Sequence, residues 1–201
     1  MLTKEREEIV NEVMNIAIGS AASALSKLVM ARVSVEVPEL RLIKASDVST
    51  YLKNELDVLS VYISQAFQGE IEGKSLLCYS QEAVQALLDI SFGKRTDLQF
   101  ISNFEKGALQ ETSNIILTSL ISAISNLIKY RIRFEVPHVA FDGHKGYFEY
   151  LTRDILEFEY AIVIKTQMVV KERDISGYVF ILLGLKDIES IIERLEENNL
   201  E

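Results

Sequence analysis

The sequence predicts an α/β domain of the α+β kind, with a mostly antiparallel sheet packed on helices and a pseudo-twofold axis relating two repeats. Three observations favour this fold. One pattern of residues occurs twice along the 201-residue chain. Each copy opens with a long run that has apolar residues at helical spacing. Each copy then continues with short runs of alternating apolar and polar residues, which is typical of half-buried strands.

The composition is that of an ordinary globular protein, with 48% hydrophobic and 25% charged residues. The net charge of −9 disfavours a nucleic-acid partner, because the phosphate backbone attracts basic surfaces. No signal peptide is recognisable, and the most apolar run, 115–128, is interrupted by polar residues, so membrane insertion is not expected. The lone Cys78 suits a reducing compartment. We therefore predict a cytoplasmic protein, and we expect a monomer.

The first repeat, about residues 3–93, begins with a helix from Thr3 to about Met30. Its predicted buried stripe consists of Ile9, Val13, Ile16, Ala17, Ala24, Leu25 and Leu28. Alternating valines predict a strand that ends at Pro38 and is followed by a second short strand. The next segments are predicted as a loop or irregular helix over 47–55, a hairpin with strands near 59–63 and 75–79, and a helix over 81–92 that Gly93 ends.

The second repeat, about residues 100–197, has the same order of elements. It is predicted to contain a helix over 103–129, a strand at 132–134, an irregular segment over 138–154, strands over 158–170 and 177–183, and a helix over 187–195. The strands of one repeat cannot cover their apolar face alone. We therefore expect the repeats to interlock in a single domain over residues 1–201.

The repeat is clearest in a pair of polar residues on each long helix. The matched residues of the two copies are Glu12 and Glu111, Asn15 and Asn114, and Pro38 and Pro137, the last two being the only prolines of the chain. In each helix the Glu and the Asn are three positions apart and lie on one face. An isolated pair of this kind is usually a solvated face. Asn is a mediocre helix former, so its recurrence beside Glu favours a role, although simple inheritance by both repeats is the other explanation.

The chemistry of these side chains suits recognition and positioning. A carboxylate and a carboxamide without a matching Cys, His or hydroxyl do not suit a nucleophilic mechanism. The carboxylate can pair with a Lys or Arg of a partner, and the amide can hydrogen-bond a water molecule. Orienting water is sufficient in phosphoryl transfer through a loose transition state. Elsewhere, His138 and His144 lack further ligands at metal-binding spacing, and Cys78 is interpreted as a packing residue.

The motif Glu-x-x-Asn-x22-Pro, present twice, resembles that of the CheC/CheX/FliY family of bacterial chemotaxis phosphatases, and two copies in one chain resemble its CheC-type members. The residues Asn15, Ile16, Gly19, Ala21, Leu25 and Ser26 add to this similarity. The resemblance implies a phosphatase that acts on the aspartyl-phosphate of a CheY-type response regulator in two-component signalling. It also implies that Asn15 and Asn114 orient the water, while Glu12 and Glu111 dock on a lysine of the regulator.

The same resemblance implies that this chain binds no cofactor, that Mg²⁺ belongs to the regulator, and that the deamidase CheD is a possible second partner. The family often has Asp or Ser four positions before the Glu, where this chain has Glu8 and Gly107. Because Gly107 has no side chain, we predict that the first site is at least as active as the second. The alternative is a non-catalytic adaptor that binds CheD, a response regulator or a flagellar switch component. A small-molecule sensor has no glycine-rich loop or ligand cluster in its favour.

Overall fold

The computed structural model describes residues 4–55, 59–93, 101–141, 155–170 and 173–198. Its helices are α1 (Lys4–Leu28), α2 (Ala45–Glu55), α3 (Gln81–Phe92), α4 (Asn103–Leu127) and α5 (Leu185–Asn198). Its strands are β1 (Val33–Lys44), β2 (Leu59–Gly69), β3 (Gly73–Ser80), β4 (Ile132–Phe134), β5 (His138–Phe141), β6 (Tyr160–Val170) and β7 (Arg173–Leu183). The predicted α/β fold is confirmed. Across the described ranges, no helix has the length and apolar character that crossing a membrane requires.

All seven strands form one antiparallel sheet in the order β1-β6-β7-β3-β2, with β4 and β5 both paired to the far side of β2. The first strand of each repeat pairs with the hairpin of the other repeat, because β1 lies on β6 while β4 and β5 lie on β2. The two hairpins meet through β3 and β7 at the centre. The repeats therefore exchange their first strands.

The prediction that a strand ends at Pro38 is wrong, because β1 continues through this residue. The pairing with β6 passes from Glu36 directly to Glu39, so Val37 and Pro38 together oppose Thr166. This extra residue is a β-bulge, and β1 is an edge strand, where a proline without an N–H group is tolerated.

The second repeat has the same irregularity at its own proline. Phe134 pairs with Phe67 and His138 pairs with Ser64, so the three residues 135–137 oppose only two residues of β2. The segment 138–154 was predicted to be irregular, but its first four residues form β5; residues 142–154 lie outside the described residues. Both motif prolines thus lie at a bulge, where the chain departs from the plane of the sheet.

The main core lies between one face of the sheet and the helices α1, α3, α4 and α5. The buried residues of α1 are Val10, Val13, Met14, Ala17, Ile18, Ala21 and Leu25. The predicted stripe was partly wrong, since Ile16 is 49% exposed and Leu28 is 39% exposed. The reason is that α1 packs on both α4 and the sheet, which centres the buried arc of the helix on Met14 and Ala17.

A second, smaller core covers the opposite face of the sheet beneath α2. The segment predicted as a loop or irregular helix is this regular helix, and its residues Val48 and Tyr51 face the sheet. The ring of Tyr51 makes edge contacts with Tyr178 and Phe180. The predicted end of α3 at Gly93 is confirmed, with φ of 64° in the left-handed region that glycine favours.

Candidate functional site

The four predicted site residues lie on α1 and α4, outside the main core. Glu12, Asn15 and Glu111 are exposed, and Asn114 is half-buried. In each helix, the Glu and the Asn are separated by one turn and therefore lie on the same face. The side chains are thus placed where another molecule can reach them, and the two copies differ in how much of the Asn is covered.

The side chain of Asn114 is held by a glutamine from the other repeat. The Nε2 atom of Gln65 donates a hydrogen bond of 2.8 Å to Oδ1 of Asn114 and another of 2.9 Å to the backbone oxygen of Glu135. A backbone oxygen can only accept, so the amino group of Gln65 must face it. Because the same amino group also faces the side chain of Asn114, the Asn114 atom next to it must be the acceptor Oδ1. This leaves the amino group of Asn114, and one lone pair of its oxygen, for a ligand.

Asn114 lines an open groove of about 500 Å³ between α4 and the bulge that precedes β5. The lining residues are Gly107, Gln110, Glu111, Asn114, Thr118, Phe134, Glu135, Val136 and Pro137. These described lining residues include two carboxylates and no Lys or Arg, so they favour a cationic group on a ligand. Val136 is 80% exposed and provides an apolar contact beside these charges.

The walls of the groove are tied together by hydrogen bonds. The Nε2 atom of Gln110 on α4 donates to the backbone oxygen of Pro137 at 2.8 Å. The backbone N–H of Glu135 donates to the oxygen of Ala66 at 3.0 Å, which anchors the bulge to β2. The start of α4 is stabilised by a capping box, in which Ser102 and Glu105 satisfy each other's backbone N–H groups. The groove is therefore a firmly anchored surface.

Among the described residues, none supports the amide of the first site in the same way. The register of the sheet places Thr166 of β6 where the second site has Gln65, opposite the bulge that contains the motif proline. The hydroxyl of Thr166 donates to the backbone oxygen of Gly177 at 3.2 Å. No described residue is hydrogen-bonded to the side chain of Asn15. Exposed Ile16 lies next to Asn15 and supplies an apolar contact there.

Sequence reasoning missed Gln65, although the sequence carries a signal for it. The inward-facing residues of β2 alternate along the strand, and Val61, Ile63 and Phe67 among them belong to the main core. Gln65 takes the remaining inward position and is only 1% exposed. A polar residue at a core position of an alternating strand requires a hydrogen-bond partner, and it is therefore a candidate for a role at a site.

The remaining candidates add nothing to the site. Cys78 is fully buried, as its packing role predicts, and burial raises the pKa of its thiol well above the usual range. His138 is exposed on β5, and His144 lies outside the described residues. Within the described ranges, no three His, Cys, Asp or Glu residues are grouped so that they could hold a metal ion. That Mg²⁺ belongs to a partner stays a prediction.

Comparison with known proteins gives relatives in bacterial chemotaxis. No protein-family model matches the chain. The chain is 22% identical to the CheY-P phosphatase CheC of Bacillus subtilis over 204 residues, which covers 96% of this chain and 95% of CheC. It is 25% identical to the flagellar motor switch phosphatase FliY of the same organism over 141 residues, which covers 69% of this chain and 36% of FliY.

Solved structures show the same fold. The crystal structure of Thermotoga maritima FliY superposes with a TM-score of 0.79 at 19% identity, covering 98% of this chain and 99% of that one. CheX, in its complex with CheY, BeF3 and Mg²⁺ from Borrelia burgdorferi, superposes with a TM-score of 0.56 at 13% identity, covering 85% and 96% of the two chains. The fold of this chain is therefore the one seen in Thermotoga maritima FliY. The chain is homologous to CheC and to FliY.

Proposed function

We propose that this chain accelerates hydrolysis of the aspartyl-phosphate of a CheY-type response regulator. Two relatives are named as phosphatases, one of them as a CheY-P phosphatase, and a CheX of the same fold is in complex with CheY. The observation that carries the proposal is the presentation of Asn114, whose amide is held in a fixed orientation at the edge of an acidic groove. An amide that is held in one orientation is well suited to positioning a water molecule.

In the proposed reaction, a water oxygen attacks the phosphorus atom in line with the bond to the regulator's aspartate. The bond between phosphorus and the aspartate oxygen breaks, and inorganic phosphate and a free carboxylate are released. The water's proton leaves with the phosphate or passes to solvent. Asn15 or Asn114 accepts a hydrogen bond from this water and limits its orientations. The transition state is loose, so positioning suffices and no strong base is needed on this chain.

Glu12 and Glu111 bind a cationic side chain of the regulator in this proposal. Each is exposed and lies one turn before the Asn, so a lysine paired with the carboxylate places the phosphorylated aspartate near the amide. Mg²⁺, if required, is supplied by the regulator. This division of roles makes Glu a determinant of binding and Asn a determinant of rate.

The experiment measures the lifetime of a purified phosphorylated CheY-type regulator with and without this protein. We expect Asn15→Ala together with Asn114→Ala to abolish the acceleration, with a loss of roughly 10²–10³-fold at each site, by analogy with the loss of one hydrogen-bonding group from an oxyanion hole. The matched control is Asn103→Ala with Asn126→Ala, two exposed asparagines on α4 outside the motif, which should retain full activity. Full activity in the Asn15/Asn114 double variant would overturn the mechanism.

The second candidate function is a non-catalytic adaptor that binds a response regulator, CheD or a component of the flagellar switch. The groove with its exposed Val136 favours it, because an apolar contact beside two carboxylates is suited to holding a protein partner. An adaptor would capture the regulator even when both Asn residues are replaced by Ala, and the unsubstituted protein would leave the regulator's phosphorylated lifetime unchanged. The two readouts together separate the two functions.

A further inference from the structure

We propose that Gln65 is a positioning residue of the second site, and that it makes the second site the faster of the two. This inference rests on the proposed phosphatase function and extends it to a residue outside the motif. Gln65 lies on β2 of the first repeat, 49 positions before Asn114 along the chain. It acts through the amide of Asn114 and has no contact with substrate in this proposal.

The geometry shows why Gln65 limits the motion of Asn114. Gln65 is 1% exposed, and its amino group is held by the backbone oxygen of Glu135 as well as by Asn114. A rotation of the Asn114 amide by 180° would place its amino group against the amino group of Gln65, which is unfavourable because both are donors. One orientation of Asn114 is therefore preferred before any partner binds.

The unpaired atom of Gln65 indicates a role other than stability. Its Oε1 atom is buried, and no hydrogen-bond partner for it occurs in the described part of the chain. A buried oxygen without a partner destabilises the folded state, whereas an apolar side chain of similar size at this core-facing position would avoid that cost. An apolar residue would supply neither the hydrogen bond to the backbone oxygen of Glu135 nor the one to Asn114, and only the second of these reaches a predicted site residue.

The first repeat provides a natural comparison. Thr166 occupies the position that corresponds to Gln65, and its hydroxyl is bonded to Gly177 within the sheet. Asn15 is exposed and is free of a comparable hydrogen bond among the described residues. An amide that must be ordered during the reaction loses more conformational entropy than one that is already ordered. The second site is therefore expected to be the more active one, whereas Gly107 alone predicts that the first site is at least as active.

The test uses the full chain with one site active at a time. Asn15→Ala leaves the second site, and Asn114→Ala leaves the first. We expect the Asn15→Ala protein to turn over phosphorylated regulator faster than the Asn114→Ala protein. Adding Gln65→Met, which keeps the length of the side chain and removes the donor, should lower kcat of the second site roughly 10- to 100-fold with little change in KM. The same substitution should change kcat of the first site by less than about twofold, as expected for a local positioning effect.

The outcomes separate this inference from the proposed function. If the unsubstituted protein does not accelerate dephosphorylation, the phosphatase function itself is overturned. If both are active and Gln65→Met lowers both equally, Gln65 supports the fold and has no specific role at the second site. If both are active and Gln65→Met lowers neither, or if the first site is the faster, the proposal is overturned as well.

A second measurement keeps the proposal testable if Gln65→Met fails to fold. The side-chain amide protons of Gln65 should exchange with solvent much more slowly than those of exposed Gln68 on the same strand. Asn114→Ala should accelerate the exchange of Gln65 and leave that of Gln68 unchanged. Exchange of Gln65 as fast as that of Gln68 in the unsubstituted protein would show that Asn114 is not held.

Discussion

The side chain of Gln110 donates a 2.8 Å hydrogen bond to the backbone oxygen of Pro137, and it thereby joins the motif helix to the bulge that follows β4. The acceptor is a backbone carbonyl group, so the contact holds the bulge against α4 without involving the proline ring. The bulge brings the chain beside the Glu-Asn face of α4 and completes the groove. In the first repeat the equivalent residue is Asn11, which has a shorter side chain and is exposed.

The first prediction concerns this contact between helix and bulge. Gln110→Ala should lower the free energy of unfolding by about 1 kcal/mol, which is typical of the loss of one hydrogen bond to a partly covered carbonyl group. Asn11→Ala is the matched control and should change the unfolding free energy by less than about 0.5 kcal/mol, as expected for an exposed position. Urea unfolding of both variants checks this, and equal effects would show that the contact contributes nothing.

The second prediction concerns the two motif glutamates. Glu12→Gln and Glu111→Gln, combined in one protein, should raise KM for the phosphorylated regulator and leave kcat nearly unchanged, because the carboxylate contributes to binding and the amide to the reaction. At each site the increase should be about twofold to fivefold, which corresponds to an exposed ion pair worth about 0.4 to 1 kcal/mol. Steady-state kinetics at several regulator concentrations measure both constants.

The control for the glutamates is Glu189→Gln, an exposed carboxylate on α5 away from both motifs. It should leave KM unchanged. The difference between the motif variant and the control should shrink as the salt concentration rises, because ions screen exposed charges. A kcat that falls while KM stays constant would assign the glutamates to the reaction step and contradict their proposed role in docking.

The third prediction concerns the ends of the two long helices. Met30 follows α1 with φ of 48°, and Lys129 follows α4 with φ of 59°, so both repeats end the helix with a residue in the left-handed region. Met30 is 91% exposed, so its side chain gains little from packing. Met30→Gly should therefore raise the free energy of unfolding by roughly 0.5–1 kcal/mol. Met30→Ala retains the Cβ atom and should not raise the free energy of unfolding. Thermal unfolding of both variants measures this, and an equal increase in stability in both would exclude backbone strain as the cause.

The fourth prediction concerns the division of the chain into repeats. Fragments of residues 1–96 and 97–201 should each fail to fold, because β1 would lose β6, β2 would lose β4 and β5, and β3 would lose β7. Circular dichroism of each fragment, and of the mixture, checks this. We expect cooperative unfolding only after mixing. A cooperative transition in either fragment alone would show that the repeat is an independent domain.

The sequence predicts much of this molecule because its main signals are local. The long helices, the hairpins and the stop of α3 at Gly93 follow from the spacing of apolar residues and from glycine at a helix end. The Glu and Asn of each motif are three positions apart on one helix, so their shared face is also a local property. These parts of the prediction needed no knowledge of which strand pairs with which.

Other predictions failed where contacts between distant residues decide the outcome. Pro38 ends a strand by local rules, but on an edge strand its missing N–H leaves no ladder bond unmade, so β1 continues through a bulge. Ile16 fits a helical stripe, yet it is exposed because α4 and the sheet select a different arc of α1. The periodicity shows that a face is buried, and the packing partners decide which one.

The amino-acid sequence by itself determined the duplicated motif, the class of fold and the helix face that carries each Glu-Asn pair, since all of these depend on spacing along one element. Only the tertiary structure decided that the repeats exchange their first strands, and it alone placed Gln65 of one repeat against Asn114 of the other. The physical reason is that a hydrogen bond depends on distance in space, and two residues 49 positions apart become neighbours only through the pairing of the sheet.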